Sequence, residues 1–200
     1  SALQSQGFLI VRNAVTSRSA RNLVESLGDE RWEGPPVVPS DAQGREIDGA
    51  APMMCNPERL QLLIDAYLES GLDTVLSNYM GERPVLLAER MLVNRKKMVR
   101  GLPWHQDGAF FGANVGAINS FLALEPTGVE ATGLTLVARH FTKLAGLSEG
   151  ERGELGYGNS LKHEEVLEQF GEESIVTPEL QPGDAIFLDE MTLHRTSLPI

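Results

Sequence analysis

Two residues near the middle of the chain carry chemistry at a spacing that geometry can use. His105 and Asp107 lie two apart in Leu102-Pro-Trp-His-Gln-Asp-Gly108. In an extended segment, positions i and i+2 point to the same face, so an imidazole and a carboxylate there converge on one point. A third ligand has to come from elsewhere, and the chain's 4 histidines leave His140, His163 and His194 as candidates. His163 sits in Leu161-Lys-His-Glu-Glu-Val166, on a charged helical stretch where a solvated face is the plain expectation. His140, in Val137-Ala-Arg-His-Phe141, follows a strand-like run beside Arg139 and reads as a loop residue. His194 has the better context: Gln181-Pro-Gly-Asp184 signals a tight turn, Ala185 to Leu188 reads as a strand, and His194 lies just past it. Two histidines and a carboxylate on one face of a metal leave open positions opposite, as in non-haem Fe(II) oxygenases. The same letters also suit polar residues hydrogen-bonded at a strand end, and spacing by itself leaves both readings standing.

The elements that must position these residues are legible in outline. Gly7 to Arg12 is a β-branched and aromatic run that predicts a strand. Thr16 is placed to cap a helix whose apolar positions are Ala20, Leu23, Val24 and Leu27, with Gly28 closing it. From Asp29 to Cys55 the pattern dissolves into Gly, Pro, Ser and charges, the texture of a long loop. Asn56 and Pro57 restart helix as cap and first-turn proline. Leu60, Leu63, Ile64, Tyr67 and Leu68 mark its expected buried face, continued by Leu72, Val75, Leu76 and Tyr79, with Gly71 bending or dividing it. Beyond Gly81 come short runs at 84–93, 117–124, 134–138, 174–178 and 184–188, predicted as strands and interrupted by a charged helical stretch at 148–170. Helices first and many short strands afterwards predict an α+β fold with an antiparallel β-sandwich or barrel. Two hundred residues suit one domain spanning 1–200.

Composition narrows the class of partner rather than the reaction. A formal net charge of −11 argues against a nucleic-acid partner, which needs a basic footprint. One cysteine, Cys55, allows no internal disulfide and is expected to be a small apolar residue. The longest apolar runs are far too short to span a bilayer, and no secretory pattern opens the chain. The expectation is a reducing cytoplasm and a small-molecule substrate, without membrane or nucleic acid.

The flanks of the candidate ligands add specificity. Trp-His-Gln-Asp-Gly-Ala-Phe-Phe-Gly (104–112), Asn119-Ser-Phe-Leu-Ala-Leu124, Gly133-Leu-Thr-Leu-Val137 and Pro182-Gly-Asp-Ala-Ile-Phe-Leu-Asp-Glu-Met-Thr-Leu-His-Arg-Thr196 resemble the phytanoyl-CoA dioxygenase family. Gln-Gly-Phe-Leu-Ile-Val-Arg (6–12), followed by a helix, is similar to that family's opening. The resemblance implies a double-stranded β-helix (jelly-roll, cupin-like) core with N-terminal helices packed outside. It implies Fe(II) held by His105, Asp107 and His194, with 2-oxoglutarate as co-substrate and O2 as oxidant. The outcome is an oxygenase that releases succinate and CO2.

Three further polar residues match positions that contact 2-oxoglutarate in such enzymes: Asn94, Thr135 and Thr196. The family adds an arginine about ten residues after the distal histidine, forked onto the far carboxylate of 2-oxoglutarate. Ile200 is reached sooner than that, so the domain is expected to lack its C-terminal strand or strands in this chain. Arg195, adjacent to His194, is expected to point the other way. Related halogenating enzymes carry a small residue where this chain has Asp107, so the carboxylate favours hydroxylation or another oxidation. Trp104, Phe110 and Phe111 flank the ligands and are candidates to line a substrate pocket, with core packing as the plain alternative. Arg100, in a basic stretch with Arg90, Lys96 and Lys97, is a candidate to receive an anionic substrate. Two other expectations stay open: a cupin-like metalloenzyme that needs no 2-oxoglutarate, and a non-catalytic binding protein on the same fold.

Overall fold

Alternation along the strands sorts this chain into layers. The structure, a computed structural model, describes residues 2–26, 57–85, 102–111, 116–145 and 160–197. The first part contains α1 (Ala2–Gln6), β1 (Phe8–Val11), α2 (Ser17–Glu25), α3 (Pro57–Ser70) and α4 (Leu72–Met80). There follow α5 (Gly108–Phe111), β2 (Ile118–Leu122), β3 (Gly133–Val137), α6 (His163–Phe170), β4 (Ile175–Val176), β5 (Ala185–Asp189) and β6 (His194–Ser197). One sheet has the order β1-β5-β2 and the other β4-β3-β6, with every pairing antiparallel.

Residues opposite one another in register share a face, and this defines three apolar interfaces. Phe8 pairs with Leu188, Ile10 and Phe121 with Ile186, and Leu136 with Val176. Together with Ala123 and Leu134, these residues form the cluster between the two sheets. Leu9, Val11, Ile118, Leu122, Ala185 and Phe187 face outward from the first sheet and pack against Leu3, Ala20, Ala66 and Leu72 of the helices. On the outer face of the second sheet, Val137 and Leu193 pack with Trp104, Leu161 and Val166 of α6. The architecture is therefore a jelly-roll sandwich clad by helices, the α+β arrangement expected. Leu136, Ile186 and Leu188 are each fully buried, and burial of one such side chain contributes about 1.5–3 kcal/mol.

Local chemistry explains most boundaries. Thr16 caps α2, its Oγ1 accepting the Ser19 N–H at 3.1 Å. Among the described residues α2 runs to Glu25, and Ser26 donates its hydroxyl to the Leu23 carbonyl; Leu27 and Gly28, expected to complete and close the helix, lie outside the described residues. Gly71, in the left-handed region at φ 72°, divides α3 from α4 as expected. The buried face of α3 differs from expectation: Ala66 and Arg59 are each 2% exposed, whereas Leu68 is 54% exposed. Val75 on α4 is likewise exposed at 45%. Small Ala66 lets the helix approach its neighbours closely, and Arg59 reaches the Ser26 carbonyl at 3.4 Å. Large apolar residues counted by type overestimate that face.

In the described residues α6 begins only at His163, because Leu161 is bridged to Trp104 as strand. The Lys162 N–H bonds the Glu165 carboxylate at 2.7 Å and closes the first turn. Pro84 and Val85 have no regular structure. The rest of the expected 84–93 strand, the 29–55 loop with Cys55, Asn56 and the first part of the 148–170 helix lie outside the described residues. No helix among the described residues is long and apolar enough to cross a membrane.

Candidate metal centre

The Leu102–His105 segment is held extended beside β6. The His105 N–H donates to the His194 carbonyl at 2.9 Å, the His194 N–H returns to the His105 carbonyl at 3.0 Å, and the Thr196 N–H reaches the Leu102 carbonyl at 3.2 Å. The two histidines are thus directly opposite in an antiparallel pair and project from the same face, with ring centroids 4.4 Å apart. The chain then turns. The Gly108 N–H bonds the Glu190 carbonyl at 2.7 Å, and a Cβ at 108 would lie 2.5 Å from Met191 Sδ. The Gly108–Glu190 hydrogen bond ties these two turns together, and their approach brings Asp107 within reach of both rings. Its oxygens lie 3.6 Å from His105 Nε2 and 3.5 Å from His194 Nε2. Ligand atoms of all three residues fall within 4.8 Å of one another.

Backbone carbonyls decide which ring nitrogens face inward. His105 Nδ1 lies 2.7 Å from the Pro103 carbonyl and His194 Nδ1 lies 2.9 Å from the Thr192 carbonyl. A carbonyl can only accept, so each Nδ1 carries the proton and each Nε2 turns a lone pair toward Asp107. Burial and the neighbouring His105 push the His194 imidazole down to about 4, against the opposing pull of Asp107 and the Thr192 carbonyl. The ring is therefore neutral at physiological pH. Two imidazole lone pairs and a carboxylate facing one small volume repel unless a cation sits between them. The donor set fits a borderline divalent metal with open positions.

Asn119 completes the arrangement: its side-chain amide donates to Asp107 Oδ2. It stands opposite Leu188 on the inner face of β2, as Phe121 stands opposite Ile186. Sequence reasoning did not single it out as a site residue. The signal was available, because alternation puts Asn119 in step with Phe121 and Ala123, and an amide at an inward position needs a partner. Phe121 itself meets the His194 ring edge-on at 6.3 Å.

The remaining candidates divide by the parity of the strands. Thr196 is opposite Leu134, on the same face as His194. Thr135 is opposite Arg195, on the other face, where its hydroxyl bonds that of Thr177 at 2.8 Å. The expected contact of Thr135 with a co-substrate is therefore not supported; a one-residue offset on a strand reverses the side. Trp104 also differs from expectation. It is 1% exposed, packed with Val137, Leu161 and Leu193, and its indole N–H donates to His163 Nδ1 at 3.3 Å. It is core, facing away from the ligands. His163 is accordingly half-buried and stacked on Trp104, not on a solvated face. Arg195 also lies over the indole, 4.9 Å from the ring centroid, and points away from the triad as expected. His140 is in the loop after β3 and is not one of the converging residues. Phe110 and Phe111 belong to α5, which starts directly after Asp107. Asn94 and Arg100 lie outside the described residues.

Comparisons with known proteins bear on the family and the fold. A family model described as phytanoyl-CoA dioxygenase (PhyH) matches residues 3–197. No curated protein sequence matches the chain. Among solved structures, EvdO2 from Micromonospora carbonacea var. aurantiaca is 16% identical, with 99% of this chain and 82% of that one covered and a TM-score of 0.64. EctD from S. alaskensis, crystallised with 2-oxoglutarate and 5-hydroxyectoine, is 17% identical over 100% and 69% of the two chains, with a TM-score of 0.68. The epimerase SnoN, in complex with Fe3+, alpha ketoglutarate and nogalamycin RO, is 14% identical over 98% and 75%, with a TM-score of 0.58. At these identities the likeness establishes a shared fold.

Proposed function

The chain belongs to the phytanoyl-CoA dioxygenase family, and on that premise we propose that His105, Asp107 and His194 hold Fe(II) for hydroxylation of a small molecule. Enzymes of this family are non-haem iron, 2-oxoglutarate-dependent oxygenases, and this chain is one of them. When bound, the metal and its co-substrate supply the oxidising power: 2-oxoglutarate is decarboxylated to succinate and CO2, with one oxygen atom of O2 entering succinate and the other the substrate.

The observation that carries the assignment of ligands is the convergence of two Nε2 atoms on one carboxylate. Hydrogen bonds from Nδ1 to the Pro103 and Thr192 carbonyls fix the orientation in which His105 and His194 present Nε2. Asp107 offsets one of the metal's two positive charges, and Asn119 holds the carboxylate that does so. Three ligands grouped on one side leave the opposite positions for a bidentate co-substrate and O2. Thr196, on the His194 face, is proposed to donate to 2-oxoglutarate. The wall of Phe121, Leu134 and Leu136 keeps water from that side. Asn94 as a second co-substrate contact, and Phe110, Phe111 and Arg100 on the substrate side, belong to the same proposal. So does a cytoplasmic setting, where a ferrous site is kept reduced.

The fold alone does not dictate the outcome, since SnoN is an epimerase on it. Asp107 as third ligand supports hydroxylation, because the carboxylate fills the position a halide would need. 5-Hydroxyectoine and nogalamycin RO, bound by EctD and SnoN, are small molecules and support that substrate class. Anaerobic addition of Fe(II) and then 2-oxoglutarate should produce a weak visible charge-transfer band, lost in His105→Ala. Metal binding without the band would refute the role of 2-oxoglutarate, and unchanged metal affinity in His105→Ala would refute the ligand assignment.

A further inference from the structure

Gln106 stands between two of the proposed ligands and is only 3% exposed. Its carboxamide leaves the opposite side of the chain from His105 and is used on both ends. Nε2 donates to the Met191 carbonyl at 2.5 Å and lies 3.5 Å from the Lys143 carbonyl. Oε1 accepts the Ala145 N–H at 2.6 Å. One side chain thus joins three segments that are far apart in sequence: the His105–Asp107 stretch, the turn at 190–193 between β5 and β6, and the 141–145 connection after β3.

The turn matters because Met191 precedes Thr192, whose carbonyl holds His194 Nδ1. Moving residues 191–192 would move the hydrogen bond that aims the His194 ring. The Gly108 N–H bond to the Glu190 carbonyl ties the same two turns a second time. A glutamine suits the place because both a donor and an acceptor are needed. Glutamate of the same size would set an oxygen against the carbonyls of residues 143 and 191, and leucine would take this partner from two carbonyls and one N–H.

We propose that Gln106 is a positioning residue that holds the 190–193 turn and residues 143–145 against the His105–Asp107 segment, and thereby fixes His194 relative to the other two ligands. The proposal rests on the metal-site assignment above, and the experiment separates the two. The full chain, as wild type, Gln106→Glu and Gln106→Leu, is titrated with Co(II) while visible absorption is followed, and the Tm of each metal-free protein is measured by circular dichroism. Loss of a residue that orients ligands should weaken Co(II) binding about 10- to 100-fold and change the shape of the Co(II) spectrum. At least one variant should keep a metal-free Tm within about 5 °C of wild type. Affinity within twofold of wild type with the same spectrum would overturn the role of Gln106 alone. Unfolding of both metal-free variants would also overturn it, by assigning the residue to the fold. A wild-type protein that takes up no Co(II) would overturn the metal site itself, and this proposal with it.

Discussion

Asp107 and Asp184 belong to the same sandwich, and their carboxylates meet opposite surroundings. Asp184 is 3% exposed and sits in the turn before β5. Its Oδ1 accepts the Asn13 N–H at 2.8 Å, and Oδ2 accepts the Gln181 N–H at 3.0 Å and the Arg12 guanidinium at 2.7 Å. Gly183 beside it has φ 94° and lies so close to β1's exit that a Cβ would be 2.9 Å from the Val15 carbonyl, so only glycine fits. Burial pushes the Asp184 carboxyl up, but the hydrogen bonds from Gln181, Asn13 and Arg12 outweigh it and leave the group below its ordinary range. Asp107, by contrast, meets one amide from Asn119 and two imidazole nitrogens that offer lone pairs. A carboxylate surrounded by N–H groups is a structural fastener. One facing other lone pairs calls for a cation.

Targeted substitutions would break or sharpen that contrast. The largest effect is expected for Asp107→Ala, which should take Co(II) or Fe(II) binding below detection while leaving the metal-free Tm unchanged or slightly higher. A large fall in Tm would make Asp107 a fastener too. Asp184→Ala should do the reverse, costing on the order of 3 kcal/mol of stability through lost charge-assisted hydrogen bonds, with metal affinity preserved in the folded protein. The Arg12 side chain is 55% exposed, so its ion pair adds little to that figure.

The pH dependence has a definite sign. Asp184 binds its proton less readily when folded than its ordinary value of 3.8 implies, so its contribution is complete above about pH 4 and is lost as pH falls through the lower folded value. Urea midpoints measured from neutral pH downward should show a shallower acid-side decline for Asp184→Asn than for wild type.

Smaller effects test the finer assignments. Asn119→Ala should weaken metal binding about 10- to 30-fold, as expected for a residue that orients a ligand; no change would mean that the amide does not hold the carboxylate. Thr196→Ala should raise the KM for 2-oxoglutarate about 3- to 10-fold, the worth of one neutral hydrogen bond. Thr135→Val should leave that KM alone and act on stability only, because its hydroxyl serves Thr177. Equal effects on KM from the two threonines would contradict the division of the strand into two faces.

Much of the fold could be read along the chain because its signals are local. The Phe8–Val11 run, the Thr16 cap, the Pro57 start and the Gly71 break act within a few residues of themselves and appear as expected. Errors arose where a residue's role depends on a distant partner. Leu68 is apolar enough for a core but is 54% exposed on α3. Trp104 stands next to a ligand in sequence and on the opposite face in space. Asn119 and Gln106 stand in segments that resemble the family, but their roles come from Asp107, Met191 and Ala145 reaching them.

The amino-acid sequence by itself determined the class of chemistry: a histidine and an aspartate in step on one extended segment, a second histidine after a turn-and-strand signal, and flanks that resemble one family of oxygenases. Tertiary structure decided which candidates share a volume. Pairing of His105 with His194 across two strands, and the approach of the turns at 108 and 190 that the Gly108–Glu190 hydrogen bond holds, set three candidate ligand atoms within 4.8 Å. Strand parity then admitted Thr196 and turned Thr135, Trp104 and Arg195 away. The physical reason is one of range: periodicity and capping are nearest-neighbour effects, whereas register between strands is settled only when the whole apolar interior closes.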